Sequence, residues 1–313
     1  MKIDGWVFIK GVLMGAADIV PGVSGGTIAF ITGIYERLLQ ALNSILPTLL
    51  LALKNRSLKG VWEKADASFL LTLFVGIVTS AISLAKVITF LLANFPIPLW
   101  AGFFGLILAS VYIVGREVRE WSVGLVIAML LGAVFAWGLT SMSPASIDQT
   151  LFNAFLSGVL AICAMVLPGI SGSFILLILG TYAYILGAVK DFDLAVLSVF
   201  VLGCGIGILS IAKLLVWTFS RYRKLTLAVL TGFMIGALNK VWPWKQVLSY
   251  RENRHGELVP LLEANISPDK YVALTQESSY LVLAVICAIG SALIVLLLSR
   301  LGANNEKENT KSV

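Results

Sequence analysis

Val20-Pro21-Gly22-Val23-Ser24-Gly25-Gly26-Thr27 and Leu167-Pro168-Gly169-Ile170-Ser171-Gly172-Ser173 are the two stretches on which the fold turns. Each lies near the middle of an apolar run, residues 6–46 and 151–189, that is too long for one membrane crossing. A crossing needs about 20 mostly apolar residues. Proline ends a helix and glycine lets the chain turn tightly, so each run is expected to form a broken or re-entrant helical hairpin. The two motifs are copies. Pro168 follows Pro21 by 147 positions, and the match extends to Gly33-Ile34-Tyr35 against Gly180-Thr181-Tyr182. Ser83-Leu84-Ala85-Lys86 resembles Ser210-Ile211-Ala212-Lys213 at an offset of 127, and Gly102-Phe103 resembles Gly232-Phe233 at 130. The shorter offset fits a basic loop at 44–67 that the second half lacks, and matches in a fixed order mark an internal repeat.

Composition sets the surroundings. The chain is 58% hydrophobic and 13% charged over 313 residues, with a mean hydropathy of +0.94. A soluble domain is closer to half apolar and about a quarter charged. The excess cannot be hidden inside a globule of this size, so lipid must cover part of it. Further spans are expected at 69–92, 99–114, 123–139, 194–219, 225–238 and 280–298. The predicted architecture is an all-α polytopic membrane protein of two repeats, 1–145 and 146–301, followed by a polar tail at 302–313. Each repeat holds one hairpin and three spans. An odd number of crossings turns the second copy upside down, giving inverted topology.

Loop charges set the orientation. Residues 44–67 carry Lys54, Arg56, Lys59 and Lys64; Arg116 and Arg119, then Arg221, Arg223 and Lys224, mark two more basic turns. Residues 94–98 and 141–150 carry no Lys or Arg. The positive-inside rule then places both termini and the basic turns in the cytoplasm. The first hairpin opens to the inside and the second to the outside. Lys190 and the mixed-charge loop 240–279 fall outside, where the bias weakens. The first apolar segment is read as retained, because Asp18 and Pro21 stand where a signal cleavage site would lie. The net charge of +6 comes without an aromatic-basic groove pattern, so it suits anionic lipid headgroups and not nucleic acid.

The hairpin tips carry the chemistry. Backbone at membrane depth survives only where protein or water satisfies it. Ser24 and Ser171 are placed to cap the helices after the breaks, whose N–H groups and positive dipole ends then point inward. Two such ends from opposite faces would hold an anion near the midplane. A single kink of this kind would serve close packing; two copies, each hydroxyl-rich through Ser24, Thr27, Ser171 and Ser173, point to a site. The candidate binding residues are Pro21, Gly22, Ser24, Gly25, Gly26, Thr27, Pro168, Gly169, Ser171, Gly172 and Ser173. Lys86 and Lys213 join them as charge partners, snorkelling to the interface being their other use. Asp18, with Met165 as its counterpart, suits a proton carrier, a cation ligand or a loop-orienting group. Glu36 and Arg37 would pair with each other or gate a headgroup. Asn239 and Lys240, beside Trp242 and Trp244, read as an interfacial belt.

Other chemistries find little support. Cys163, Cys204 and Cys287 lack paired spacing and read as packing residues. His255, the only histidine, lies in a polar loop. No zinc-ligand cluster, Walker loop, nucleotide fingerprint or nucleophile elbow is present, so no cofactor or metal is expected. A membrane phosphatase would need a nucleophile or general acid that the sequence does not offer.

Met14-Gly15-Ala16-Ala17-Asp18-Ile19-Val20-Pro21-Gly22-Val23-Ser24-Gly25-Gly26-Thr27, followed by Gly33-Ile34-Tyr35-Glu36 and by the second motif, resembles the signature of the bacterial and archaeal polyprenyl-phosphate transporter family. The resemblance covers nearly the whole chain. It implies a flippase of the cytoplasmic membrane that returns undecaprenyl phosphate, the lipid carrier of cell-envelope sugars, from the outer to the cytoplasmic leaflet. The expected mechanism docks the phosphate between the tips, held by backbone N–H groups, Ser24, Ser171 and Ser173, with Lys86 or Lys213 supplying charge. The prenyl tail stays in lipid, since burying the headgroup charge is the main barrier. A proton or sodium gradient is the coupling to consider. A secondary transporter of a small anion would share the architecture but would show a closed aqueous pocket.

Overall fold

The computed structural model describes residues 4–19, 23–55, 62–145, 147–252 and 258–311. Val20, Pro21, Gly22, Arg56, Lys59 and His255 lie outside them. The described chain is mostly helical and belongs to an integral membrane protein. Helix α1 (Gly5–Asp18) starts at Asp4, whose side chain accepts the Trp6 N–H. Short α2 (Gly25–Ile31) follows the first break and α3 (Tyr35–Asn55) follows a turn at Gly33. Next come α4 (Ala67–Ser83) and α5 (Ala85–Asn94), bent by 46°, then α6 (Pro96–Glu117) and α7 (Val123–Thr140). The second half has α8 (Leu151–Val166), short α9 (Gly172–Ile178) and α10 (Tyr182–Lys190), the last two bent by 110°. Helix α11 (Leu194–Ala237) leaves helical geometry at Tyr222, with φ −136° and ψ 46°. Its 44 residues would span roughly 66 Å if straight, twice a bilayer core, and the kink falls between the expected spans 194–219 and 225–238.

Among the described residues four helices are long and apolar enough to cross a membrane, or six if each bent pair counts as one span. Their outer faces are greasy: Leu131, Val134 and Phe135 on α7 and Val282 and Ile286 on the last helix are largely exposed. A water-facing protein would not leave such a contiguous surface uncovered. The interior is close-packed around Leu39, Ile107, Leu227, Leu230 and Met234, each nearly inaccessible.

Two strands, β1 (Lys245–Glu252) and β2 (Leu258–Asn265), pair antiparallel, and α12 (Pro268–Thr275) leads into α13 (Leu281–Lys311). Residues 240–252 and 258–279 therefore carry regular structure, where the sequence reading has only a mixed-charge loop. The cause is long-range: Trp244 is buried against Ile97, Ala101, Ile266 and Ala284, which anchors the hairpin to α6 and α13. The tail expected from 302 continues α13 as backbone helix to Lys311.

The helices pair by close crossings. Helix α1 runs parallel to α4, with Gly11 beside Leu73 and Gly76, and Gly15 beside Ile77 and Ser80. Helix α8 runs parallel to the first part of α11, with Gly158 beside Phe200 and Cys204, and Gly207 beside Val159 and Ile162. A methyl at Gly11 would overlap the Leu73 carbonyl oxygen, and one at Gly158 the Phe200 carbonyl oxygen. Gly11 and Gly158 are 147 positions apart, Gly76 and Gly203 are 127 apart, so the repeat offsets relate matching crossings. After each break the chain folds back. Gly172 packs on Ala161, and the Thr181 hydroxyl donates to Ser157 Oγ at 2.9 Å. In the first half Arg37 reaches Asp66 at the start of α4, the end from which α1 set out.

Overpacking a close crossing costs about 1–3 kcal/mol. Gly203→Leu, placed where the Phe155 carbonyl oxygen abuts, is expected to lower the thermal midpoint in detergent. Gly205→Leu, next along the helix but facing open space, is expected to leave it in place.

Candidate functional site

The two breaks meet. Ser24 caps α2: its hydroxyl accepts the Gly26 N–H at 3.1 Å. The same hydroxyl points its proton at the carbonyl oxygens of Met165 and Leu167, each 3.1 Å away in the second break. In return, Thr27 Oγ1 accepts the Gly169 N–H at 3.0 Å. Ser24 and Thr27 are fully buried. Gly26 lies against the Val166 carbonyl, and Gly169, at φ +89°, lies against the Met234 backbone where a side chain has no room. Orphan carbonyls at the end of α8 and an orphan N–H after it are thus satisfied by hydroxyls of the other tip. Pro21 and Gly22 fall outside the described residues; Pro168 is buried in the second tip.

The tips differ in charge. Asp18 Oδ1 accepts the Gly25 N–H at 2.7 Å, so a carboxylate already faces the start of α2. Its Oδ2 is buried without a hydrogen-bond partner among the described residues. At the second tip the counterpart is Met165, and Ser171 makes no side-chain cap to α9. Ser171 and Ser173 instead share a hydrogen bond at 3.0 Å. The second tip combines an uncapped helix start with two hydroxyls, a setting that favours an incoming negative group. The asymmetry that Asp18 and Met165 mark in the sequence thus carries into the structure, where a carboxylate faces the start of α2 and none faces the start of α9 among the described residues.

Beside the tips lies a cavity of about 720 Å³, lined by Met14, Asp18, Gly25, Gly26, Leu38, Leu42, Leu70, Leu73, Met165, Val166 and Ile208 among others. Asp18 is its only charged lining residue among the described residues. The wall includes Phe74 and Leu71, which are exposed on the outer surface of α4, so the cavity opens sideways through the apolar belt. An alkyl chain could lie in it with its polar end at Asp18 and the tips.

The remaining candidates sit elsewhere. Lys86 and Lys213 are exposed on the outer helix faces and line neither this cavity nor the other described pockets. Glu36 and Arg37 do not pair with each other. Glu36 meets Arg223 at 2.6 Å, and Arg37 meets Asp66 at 2.6 Å while stacking over Phe69. These bonds tie α3 to α4 and to the kink of α11 at one end of the protein. At the opposite end Lys240, read from sequence as part of an interfacial belt, stands 5.0 Å over the Phe174 ring of α9. It shares Glu263 with Lys245, a pair invisible in sequence because β1 and β2 bring it together.

The model of the VCA0040-like family, described as undecaprenyl phosphate translocase-like, matches residues 14–259. A polyprenyl-phosphate transporter of Vibrio cholerae serotype O1 is 50% identical over 289 residues, 92% of this chain and 94% of its own. A polyprenyl-phosphate transporter of Staphylococcus aureus is 29% identical over 258 residues, 76% of this chain and 86% of its own. No solved structure matches. With more than half of its length matched, both hairpin tips included, the chain belongs to the undecaprenyl phosphate translocase-like family.

Proposed function

We propose that this protein carries a polyprenyl phosphate, undecaprenyl phosphate in bacteria, across the cytoplasmic membrane, returning carrier lipid from the outer to the inner leaflet. The observation that carries the reading is the apolar, sideways-open cavity that ends at two hydrogen-bonded hairpin tips. A small-anion transporter would need an aqueous pocket; this one is hydrocarbon-lined apart from Asp18. The names of the two relatives point to the same lipid.

The two halves, 1–145 and 146–301, act as inverted repeats with both termini cytoplasmic. Supporting this are the parallel crossings α1–α4 and α8–α11, related by the repeat offsets, and hairpins that fold back toward opposite ends. The phosphate passes at the tips while the tail follows through the cavity and the lipid. Ser171, Ser173 and the start of α9 receive the headgroup; Ser24 and Thr27 are occupied in holding the tips together and act as positioning residues. Rocking of one repeat against the other changes which side reaches the tips.

Asp18 sets a condition. A phosphate charge about 4 Å from an ionised carboxylate is repelled by about 4 kcal/mol at an effective dielectric near 20. The headgroup therefore passes when Asp18 carries a proton, which links lipid movement to a proton gradient. Asp18→Asn keeps a side-chain oxygen for the Gly25 N–H. In proteoliposomes this variant is expected to move lipid at a rate that no longer responds to an imposed pH gradient. A variant that responds like wild type ends the coupling proposal.

Depleting the protein in cells that hold no second translocase is expected to raise the undecaprenyl phosphate exposed at the outer surface, measured with an impermeant phosphate-binding probe. An unchanged exposed pool contradicts the recycling reading.

A further inference from the structure

At the end of the molecule opposite Arg223 lies a polar pocket of about 230 Å³. Its floor is Phe174, Leu177 and Ile178 of α9, and its charged walls are Lys240, Lys245 and Glu263. Glu263 Oε2 is 3.5 Å from Lys240 Nζ and 3.2 Å from Lys245 Nζ, so two ammonium groups share one carboxylate. Among the described residues these are the only charged ones lining it, which leaves one positive charge over.

That charge is held in place without being neutralised. The Lys245 side chain is 9% exposed, its ammonium donates to the Lys240 carbonyl oxygen at 2.7 Å, and the Trp100 ring lies 4.7 Å away. Burial, opposed by Glu263, depresses the Lys245 ammonium to about 8, the cost of a charge short of a counter-ion. Asn265 donates to the carbonyl and side-chain oxygens of Asn239, and Asn239 donates in turn to Ser141 at 3.2 Å, so the polar wall is pre-ordered. The pocket is large enough for a phosphate and too small for a prenyl chain. Trp137 and Met142 on its rim are more than half exposed, which leaves a tail free to run out into the apolar belt. Phe174 also directly follows Ser173, so the pocket adjoins the second tip.

We infer that Lys240 and Lys245 form an anion subsite for a phosphate monoester, where the headgroup docks on the outer face before it passes to Ser171 and Ser173. The assignment to a lipid headgroup rests on the proposed function; the phosphate chemistry rests on the pocket. Neither lysine was singled out as a headgroup ligand by the hairpin motifs, which lie elsewhere in the chain.

The test uses purified full-length protein in proteoliposomes with undecaprenyl phosphate, and in detergent with inorganic phosphate. Lys240→Gln, with a partly exposed side chain, keeps the fold; Lys245→Gln is checked by its thermal midpoint, and Lys240→Arg restores the charge. Removing a charged hydrogen-bond donor is expected to raise the KM for lipid about tenfold or more with kcat little changed, and Arg to recover most of it. An unchanged KM in folded Lys240→Gln and Lys245→Gln overturns the subsite while leaving transport intact. If wild type moves no lipid, the transport reading fails, and inorganic phosphate decides the pocket. Binding that is lost in Lys240→Gln supports a phosphate site fed from solution, and absence of binding to wild type overturns it.

Discussion

Backbone polar groups cannot be left bare inside a bilayer, and the rest of the structure depends on how two broken helices meet that demand. Each break alone would strand carbonyl and N–H groups at a cost of several kcal/mol. Here the first tip supplies what the second lacks: Ser24 donates to Met165 and Leu167, and Thr27 accepts from Gly169. The first tip meets its own N–H groups through Asp18 and Ser24. The contact joins the two hairpins at their tips, and the helix pairs α1–α4 and α8–α11 are the walls that carry them.

The pairing is also unequal. Repeated sequence would suggest a symmetric site, yet Asp18 faces the first helix start while Met165 stands in the matching place. A carrier that had to bind an anion tightly would gain from two receptive ends. A carrier that must also release it gains from an ionisable repulsive group close by. The apolar cavity has that group in its lining, and the lysine pocket lies at the end of the molecule opposite Arg223.

Much of this was legible in the residues. The spans at 99–114 and 123–139 fall within α6 and α7, because long apolar runs between loops have few alternatives in lipid. The tips were legible because proline, glycine and serine have fixed local meanings. What escaped was long-range. The bend between α4 and α5 and the rotation of α11 about its axis leave Lys86 and Lys213 exposed, and no spacing rule reports that. Glu36 and Arg37 found partners 187 and 29 positions away, Arg223 and Asp66, in place of each other. Lys245 and Glu263 became a pair through a β-hairpin anchored by a buried tryptophan, whereas a reading confined to charge sees only a mixed loop.

The most direct measurement is photo-cross-linking with a polyprenyl phosphate that carries a diazirine on the isoprene nearest the phosphate, with adducts mapped by mass spectrometry. The account predicts saturable labelling at the tips, around residues 24–27 and 165–173, and along the cavity at Met14 and Leu70. Labelling confined to the outward faces of α7 and α13, with none at the tips, would contradict it.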